Sequence, residues 1–272
     1  MTINAVICGA GGRMAGAVTK KVLTTDGFTL KAALDQASSP SFGQDAGVIT
    51  GCGPKGIKVT GTEDYFKAPN KGAVYVDFTN PESAVKNCMK ALETGHDLVI
   101  GTTGFLPAQV KELTDAVAKH KRSAVLSPNF SVGVNVFWDV AVRTAHLLKG
   151  YDIEIIEAHH RLKKDAPSGT AKKAAELIAK TLNTDERAFV YGRQGGNCLR
   201  KTPNEEIGVL AIRAGDIFGD HTILYAGNSE RIELKHQLHS RDALASGCLI
   251  AIKWVSGKAD GKVHDMKDVL GL

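Results

Sequence analysis

The sequence predicts an α/β protein: a doubly wound parallel sheet, followed by a second α+β domain with a mixed, largely antiparallel sheet. Three observations predict it. The first half alternates short apolar runs with amphipathic stretches, the βαβ pattern of a parallel sheet. The first apolar run breaks into glycines that open a helix. Beyond residue 131 strand-like runs follow one another across short turns, and an apolar tail closes the chain.

INAVICG (3–9) is a short apolar run stopped by glycine, fit for a buried strand. Residues 13–25 read as a helix, with Met14, Ala17, Val18, Val22 and Leu23 apolar. FTLKAALD (28–35) and AVYVDFT (73–79) are the next clear strands. Asn80 and Pro81 supply an N-cap and a first-turn proline for a helix that stops at Gly95. DLVIGTTG (97–104) is a strand running into a glycine- and threonine-rich loop, Pro107 opens a helix ending near Lys121, and SAVLSPNF (123–130) is a further strand. In the second half, 136–148 is a helix, 151–160 alternates as a strand and 170–182 is a helix. Runs 206–215, 221–227 and 231–238, with Gly-Asn-Ser at 227–229 as a hairpin signal, predict an antiparallel meander with helices on one face. Residues 192–204 predict a mobile loop. The helical tail is expected to return to the first domain, giving 1–130 plus 240–272 and 131–239.

Composition narrows the function classes. Hydrophobic content of 43% and charged content of 23% are ordinary for a globular protein. The net charge of +5 is spread among interleaved acids, which argues against nucleic acid and suits small anionic ligands. No apolar run approaches the ~20 residues of a membrane span. The five cysteines, at 8, 52, 88, 198 and 248, form no Cys-x-x-Cys and predict buried or inert thiols in a reducing compartment. No metal site is expected, and the chain is expected to be cytoplasmic.

Gly9-Ala10-Gly11-Gly12-Arg13-Met14 follows a strand and opens a helix. Here a tight turn lets the backbone approach a pyrophosphate, which meets N–H groups at a helix N-terminus. Met14 stands where a third glycine is usual, with Gly16 two places on. Asp35 and Gln36, at the end of the second strand, are placed for the ribose hydroxyls. Glycines alone also suit an ordinary turn; strand, helix, second strand and acid together select a dinucleotide. Gly101-Thr102-Thr103 and Ser127-Pro128-Asn129-Phe130 follow the carboxyl ends of later strands, where open α/β sheets bind ligands.

The stretch EAHHRLKKDAPSGTA (157–171) crowds positive charge before a helix that Asp165 or Ser168 can cap. N–H groups of Gly169 and Thr170, the helix dipole and His160, Arg161, Lys163 and Lys164 together suit a ligand with more than one carboxylate. His159 and Lys163 can donate protons. A charge run by itself is more often a solvated loop. Two adjacent histidines and the Ser168-Gly169-Thr170 turn favour a site, and zinc lacks a third ligand at sensible spacing.

These motifs, with DFTNPE (77–82), GTTGF (101–105), NFSVGVN (129–135) and RAGDI.G.H (213–221), closely resemble the 4-hydroxy-tetrahydrodipicolinate reductase (dihydrodipicolinate reductase) family of lysine and diaminopimelate biosynthesis. They span nearly the whole chain in the family's order. The resemblance implies a Rossmann-like dinucleotide domain completed by the C-terminal helix. It also implies a substrate domain through which four chains associate as a homotetramer. It implies NADH and NADPH as cofactors, held by Gly9 to Met14, Asp35, Gln36, Gly101 to Thr103 and Ser127 to Phe130. It assigns His159 as acid/base, Lys163 as proton donor, and His160, Ser168, Gly169 and Thr170 to a small dicarboxylate substrate. Nicotinamide would reduce ring C4 with loss of the 4-hydroxyl as water, leaving an enamine that takes a proton at C3. Leu162, Ala15 and Gln36 depart from the family's usual histidine, glycine and basic residue. Asp35 beside neutral Gln36, with no basic residue between 32 and 54 and Arg13 as the nearby cation, predicts NADH at least as good as NADPH. The rivals are another two-domain oxidoreductase, acting on a sugar or semialdehyde, and a nicotinamide-binding regulator without catalysis. A semialdehyde dehydrogenase would want a nucleophilic Cys, and none is well placed; the regulator has no use for His159 and Lys163.

Overall fold

The computed structural model describes residues 2–201 and 205–272. They form two compact units, 1–132 with 241–272, and 133–240.

The first unit carries β1 (Ile3–Cys8), α1 (Arg13–Thr24), β2 (Phe28–Leu34), α2 (Ala46–Ile49), β3 (Val59–Thr60), α3 (Thr62–Lys67), β4 (Val74–Asp77), α4 (Pro81–Glu93), β5 (Asp97–Ile100), α5 (Pro107–Lys119) and β6 (Ala124–Leu126). Every strand pair in its sheet is parallel, in the order β3-β2-β1-β4-β5-β6. The order reverses between β1 and β4, so the loops after these two strands diverge and open a crevice. Short apolar strands buried on both faces are what such a sheet requires. Val6, Val76, Val99 and Ile7 are inaccessible to solvent. Each is worth roughly 1.5–3 kcal/mol over exposure. Helix α4 starts where the sequence places it: Asn80 accepts a hydrogen bond from Ser83 N at 3.0 Å, and Pro81 needs no partner in the first turn.

The second unit carries α6 (Val132–Leu147), β7 (Asp152–His159), α7 (Gly169–Thr181), β8 (Phe189–Val190), β9 (Ile207–Arg213), β10 (Asp220–Ala226) and β11 (Arg231–Gln237). The tail then forms α8 (Asp242–Val255), β12 (Val263–His264) and α9 (Met266–Leu270) in the first unit. Helix α8 packs on α1, and β12 extends the parallel sheet beside β6.

The second sheet corrects the expected meander. Its order is β11-β10-β7-β9-β8. β10 pairs antiparallel with β11 and β7, while β7 and β8 pair parallel with β9. β9 therefore does not touch β10, although they are consecutive. One face, carrying Ile155, Val209, Ile223 and Tyr225, is buried against α6 and α7. Tyr225 donates to the carbonyl of Ala141 at 2.7 Å, which pins α6 to the sheet. Helix α6 also starts four residues before the apolar run that announced it. In the Gly-rich loop, Arg193 and Arg200 pair with Glu154 of β7 and with Glu206 just before β9, so this part is tethered where mobility was expected. Residues 202–204 of that stretch lie outside the described residues. All five cysteines are free; Cys8, Cys88 and Cys248 are buried, and Cys198 is exposed.

Candidate active site

The glycine turn after β1 and the loop after β2 line a cleft of about 480 Å³ in the first unit. It brings together Gly9, Gly11, Gly12, Asp35 and Gln36, with Ser38, Ser39, Thr79, Asn80 and Lys86. Gly9 has φ +82°, open to glycine at no steric cost. A Cβ on Gly11 would lie 2.8 Å from Asp35 Oδ2 and from the Ser39 and Ser41 hydroxyls, so glycine lets the turn close on the acid. Asp35 accepts from Gly11 N and Gln36 N at 2.8 Å and from Ser39 Oγ at 3.0 Å. Helix α1 has neither a capping side chain nor an acid in its first turn. Its N-terminal N–H groups and dipole therefore suit an anion, and the cleft fits the pyrophosphate and ribose of a dinucleotide.

Ala10 is buried beneath the turn, and Arg13 and Met14 begin α1 without lining the cleft. The nearby cation is instead Lys86 on α4, whose ammonium lies 3.4 Å from Glu63. Of the later loops, Gly101 and Thr103 follow β5 and Pro128 is exposed after β6. Two hydroxyls are committed inward. Thr102 donates to buried Asp77 at 2.8 Å and accepts from Thr79 N, which ties the loops after β4 and β5 together. Burial pushes the Asp77 carboxyl up, against its hydrogen bonds. Ser127 donates to Asn129 O at 2.9 Å, and Phe130 is buried edge-on against Phe78.

In the second unit the sheet register builds the site. Glu157 on β7, His221 on β10 and His236 on β11 stand directly opposite one another. His159, two residues along β7, shares their face because strand side chains alternate. Glu157 is fully buried, and its Oε2 lies 2.6 Å from His159 Nδ1. Arg213 grips the same carboxylate with two bonds of 2.8 Å, and Ser168 N donates to it at 2.9 Å. Burial alone would push this carboxyl up; the bonds from His159, Arg213 and Ser168 outweigh it and bring it down to about 2. His221 lies edge-on to His159, with ring centres 5.3 Å apart, and its Nε2 is 3.2 Å from Ser168 Oγ. Burial, then the neighbouring His159 and His236, pushes it down to about 3, so it is neutral at ordinary pH.

Ser168, not Asp165, caps α7, accepting from Ala171 N. Gly169 and Thr170 open that helix. Lys163 Nζ lies 2.9 Å from Asp165, while Arg161 and Lys164 are exposed. His160 Nδ1 is buried with no hydrogen-bond partner among the described residues. Leu162 is 80% exposed and faces none of these groups. Sequence reasoning missed Glu157, Arg213, His221, His236 and Lys86. Glu157 had one signal: an acid two residues before a histidine on a strand shares its face.

The family models for the N-terminal and C-terminal parts of dihydrodipicolinate reductase match residues 3–130 and 133–270. The chain belongs to the dihydrodipicolinate reductase family. A 4-hydroxy-tetrahydrodipicolinate reductase from Methanococcoides burtonii is 45% identical over 271 residues, 99% of each chain. A dipicolinate-bound dihydrodipicolinate reductase from Paenisporosarcina sp. TG-14 superimposes with a TM-score of 0.76 at 26% identity, covering 97% of this chain and 98% of that one. A myo-inositol 2-dehydrogenase from Lactobacillus plantarum reaches a TM-score of 0.60 at 12% identity, over 99% of this chain and 94% of that one, and shares the fold alone. Family membership makes the chain an oxidoreductase, against the expectation's rival of a regulator without catalysis. No helix among the described residues is long and apolar enough to cross a membrane.

Proposed function

We propose that the chain reduces 4-hydroxy-2,3,4,5-tetrahydrodipicolinate to 2,3,4,5-tetrahydrodipicolinate, with release of water and oxidation of NADH or NADPH. The observation that carries this reading is a proton donor, His159, braced by a buried carboxylate beside the N-terminus of α7. When bound, the nicotinamide supplies two electrons and a hydrogen to ring C4. Gly9, Gly11, Gly12, Asp35 and Gln36 would hold its adenosine and phosphate end, and the loops at 101–103 and 127–130 the nicotinamide end.

The backbone at Gly169 and Thr170, with His160 and the cap Ser168, would fix the two carboxylates and so the ring face presented for reduction. That is positioning catalysis. His159 would give its Nε2 proton to C3 of the ring; Lys163, 2.9 Å from Asp165, is the second donor in reach of the same loop. The dipicolinate in the Paenisporosarcina structure is a planar dicarboxylate of the kind this cradle would accept.

Two finer readings follow. The face of the second sheet away from α6 and α7 carries Ile156, Leu210, Ile212 and Leu224, partly or fully exposed. We propose that this apolar surface joins four copies, in the cytoplasm. Lys86 is already paired with Glu63, and neutral Gln36 offers a 2′-phosphate no charge, so NADH should serve at least as well as NADPH. The test is purified protein coupled to the enzyme that makes the substrate, with cofactor absorbance followed. Absence of substrate-dependent oxidation refutes the activity. A KM for NADPH tenfold below that for NADH refutes the cofactor reading.

A further inference from the structure

Glu157 is buried completely and makes four hydrogen bonds with three partners: His159 Nδ1 at 2.6 Å, two from Arg213 at 2.8 Å, and Ser168 N at 2.9 Å. An ionised carboxylate only accepts, so Nδ1 of His159 must carry the hydrogen, and Nε2 is left as the nitrogen that exchanges protons with substrate. A Cβ at position 219 would stand 2.9 Å from this Nε2 and 3.6 Å from the His221 ring, so Gly219 keeps the nitrogen clear. The other oxygen of Glu157 takes the N–H of the residue that caps α7, where Gly169 and Thr170 begin. Arg213 also donates to the carbonyls of Ile212 and Asp165, which fastens the loop bearing Lys163.

We propose that Glu157, held by Arg213, is the positioning residue of the reaction. It fixes the tautomer and direction of His159 and ties that proton donor to the carboxylate cradle at the start of α7. The proposal rests on the activity given above and deepens it.

The competing account is a buried ion pair that only staples β7 to β9. The two differ in what they do to protonation. Positioning fixes the hydrogen of the imidazole on Nδ1 and leaves Nε2 to the substrate, whereas a staple has no preference between the two nitrogens. The other charged or titratable groups packed around the Glu157–His159 pair are Arg213 from β9 and His221 from β10 with His236 behind it; Arg213 also reaches Asp165 O in the loop that bears Lys163. Of these, Arg213 loses its charged partner in Glu157→Gln.

The experiment compares Glu157→Gln with wild type in kcat against pH from 5.5 to 9.5, in KM for substrate and in cofactor Kd by nicotinamide fluorescence. Thermal melts confirm folding. The expected result is a kcat at least about 30-fold lower, substrate KM several-fold higher and an unchanged cofactor Kd. The alkaline limb of the kcat profile should move, because the general acid has lost the charged partner of its Nδ1. A folded Glu157→Gln with an unmoved limb overturns the proposal.

Where Glu157→Gln does not fold, Glu157→Asp decides. It keeps the charge but draws it back by one methylene, and should lose at least tenfold in kcat; wild-type kcat in that variant overturns the proposal. Imidazole ¹⁵N shifts of wild type need no substrate. They should report hydrogen on Nδ1 of His159, and hydrogen on Nε2 alone would sink the proposal whatever the chain reduces. Failure of wild type to oxidise cofactor with normal Nδ1 shifts would instead fault the assigned substrate.

Discussion

Acid should loosen the second unit through His221 before any carboxylate titrates. Unfolded, this imidazole titrates near 6.5; folded, burial and two neighbouring histidines hold it down to about 3. Between those values the unfolded chain binds a proton that the native chain refuses, so stability is intact above pH 6.5 and falls as pH drops below it. At 1.36 kcal/mol per unit the loss from pH 7 to pH 5 is about 2 kcal/mol. The figure hardly depends on where below pH 4 the native group titrates. Glu157, held near 2, contributes its own loss only below its ordinary value of 4.5. His236, also pushed down by burial, shares the same window, so a variant must separate the two. His221→Phe removes the titration and keeps a ring against Phe137, 6.2 Å away. Of the two tryptophans, Trp138 lies in this unit and donates to Thr170 O at 3.0 Å. A Trp254→Phe background therefore makes fluorescence report the second unit. Urea unfolding at pH 7 and pH 5, at one protein concentration, should show the midpoint falling by about 1 M for an m-value of about 2 kcal/mol/M. In His221→Phe that fall should shrink by most of this amount, although the variant starts lower at both pH values because Ser168 Oγ loses a neighbour. An equal fall with and without His221 would refute the reasoning.

Replacing His159 by Gln or Lys163 by Ala should lower kcat by about 10²-fold while cofactor Kd stays within twofold, and near-normal kcat in both would remove their assignment. Pyridine-2,6-dicarboxylate should compete with substrate. Thr170→Val and His160→Ala should raise its inhibition constant and the substrate KM together, and an inhibitor insensitive to both places the cradle elsewhere. Leu162→His should leave kcat/KM nearly unchanged, because position 162 points to solvent. A gain above tenfold, about 1.4 kcal/mol, would mean that a third histidine reaches the substrate.

The parallel sheet was legible because its signals are local. A strand buried on both faces must be a continuous apolar run, and each run here ends in glycine, proline or an N-cap that fixes where the next helix begins. The short strands β3, β8 and β12 were not legible, since two residues carry no period. The nucleotide cleft was legible in the same way, as a turn and an acid at a set distance. What lay hidden there was Lys86, which reaches the cleft from α4 beside Ser83 and Asn87 with no motif around it. The inward turn of Thr102 was hidden too, because it depends on a buried acid at the end of another strand.

The second unit shows a different limit. The loop and helix at 157–171 could be read as an anion site from charge and capping alone, yet the residues that brace it could not. Arg213 and His221 stood in a motif that marked the family and still received no role. Their partner Glu157 lies on a strand far away in sequence, and only register brings them together. In the expected meander β10 has β9 and β11 as its two neighbours, which leaves no edge for β7. The observed sheet inserts β7 between β9 and β10, and that step alone puts Glu157 opposite His221 and His159 beside Arg213. The misplaced strand and the missed residues are therefore one error. Hairpin signals favour pairing of consecutive strands, but a parallel pair lengthens the connection and overrides them. A strand bearing a buried acid and a buried histidine, such as 152–159, is costly at an edge or in apolar surroundings. Its proper place is between strands that can return an arginine on one side and a histidine on the other.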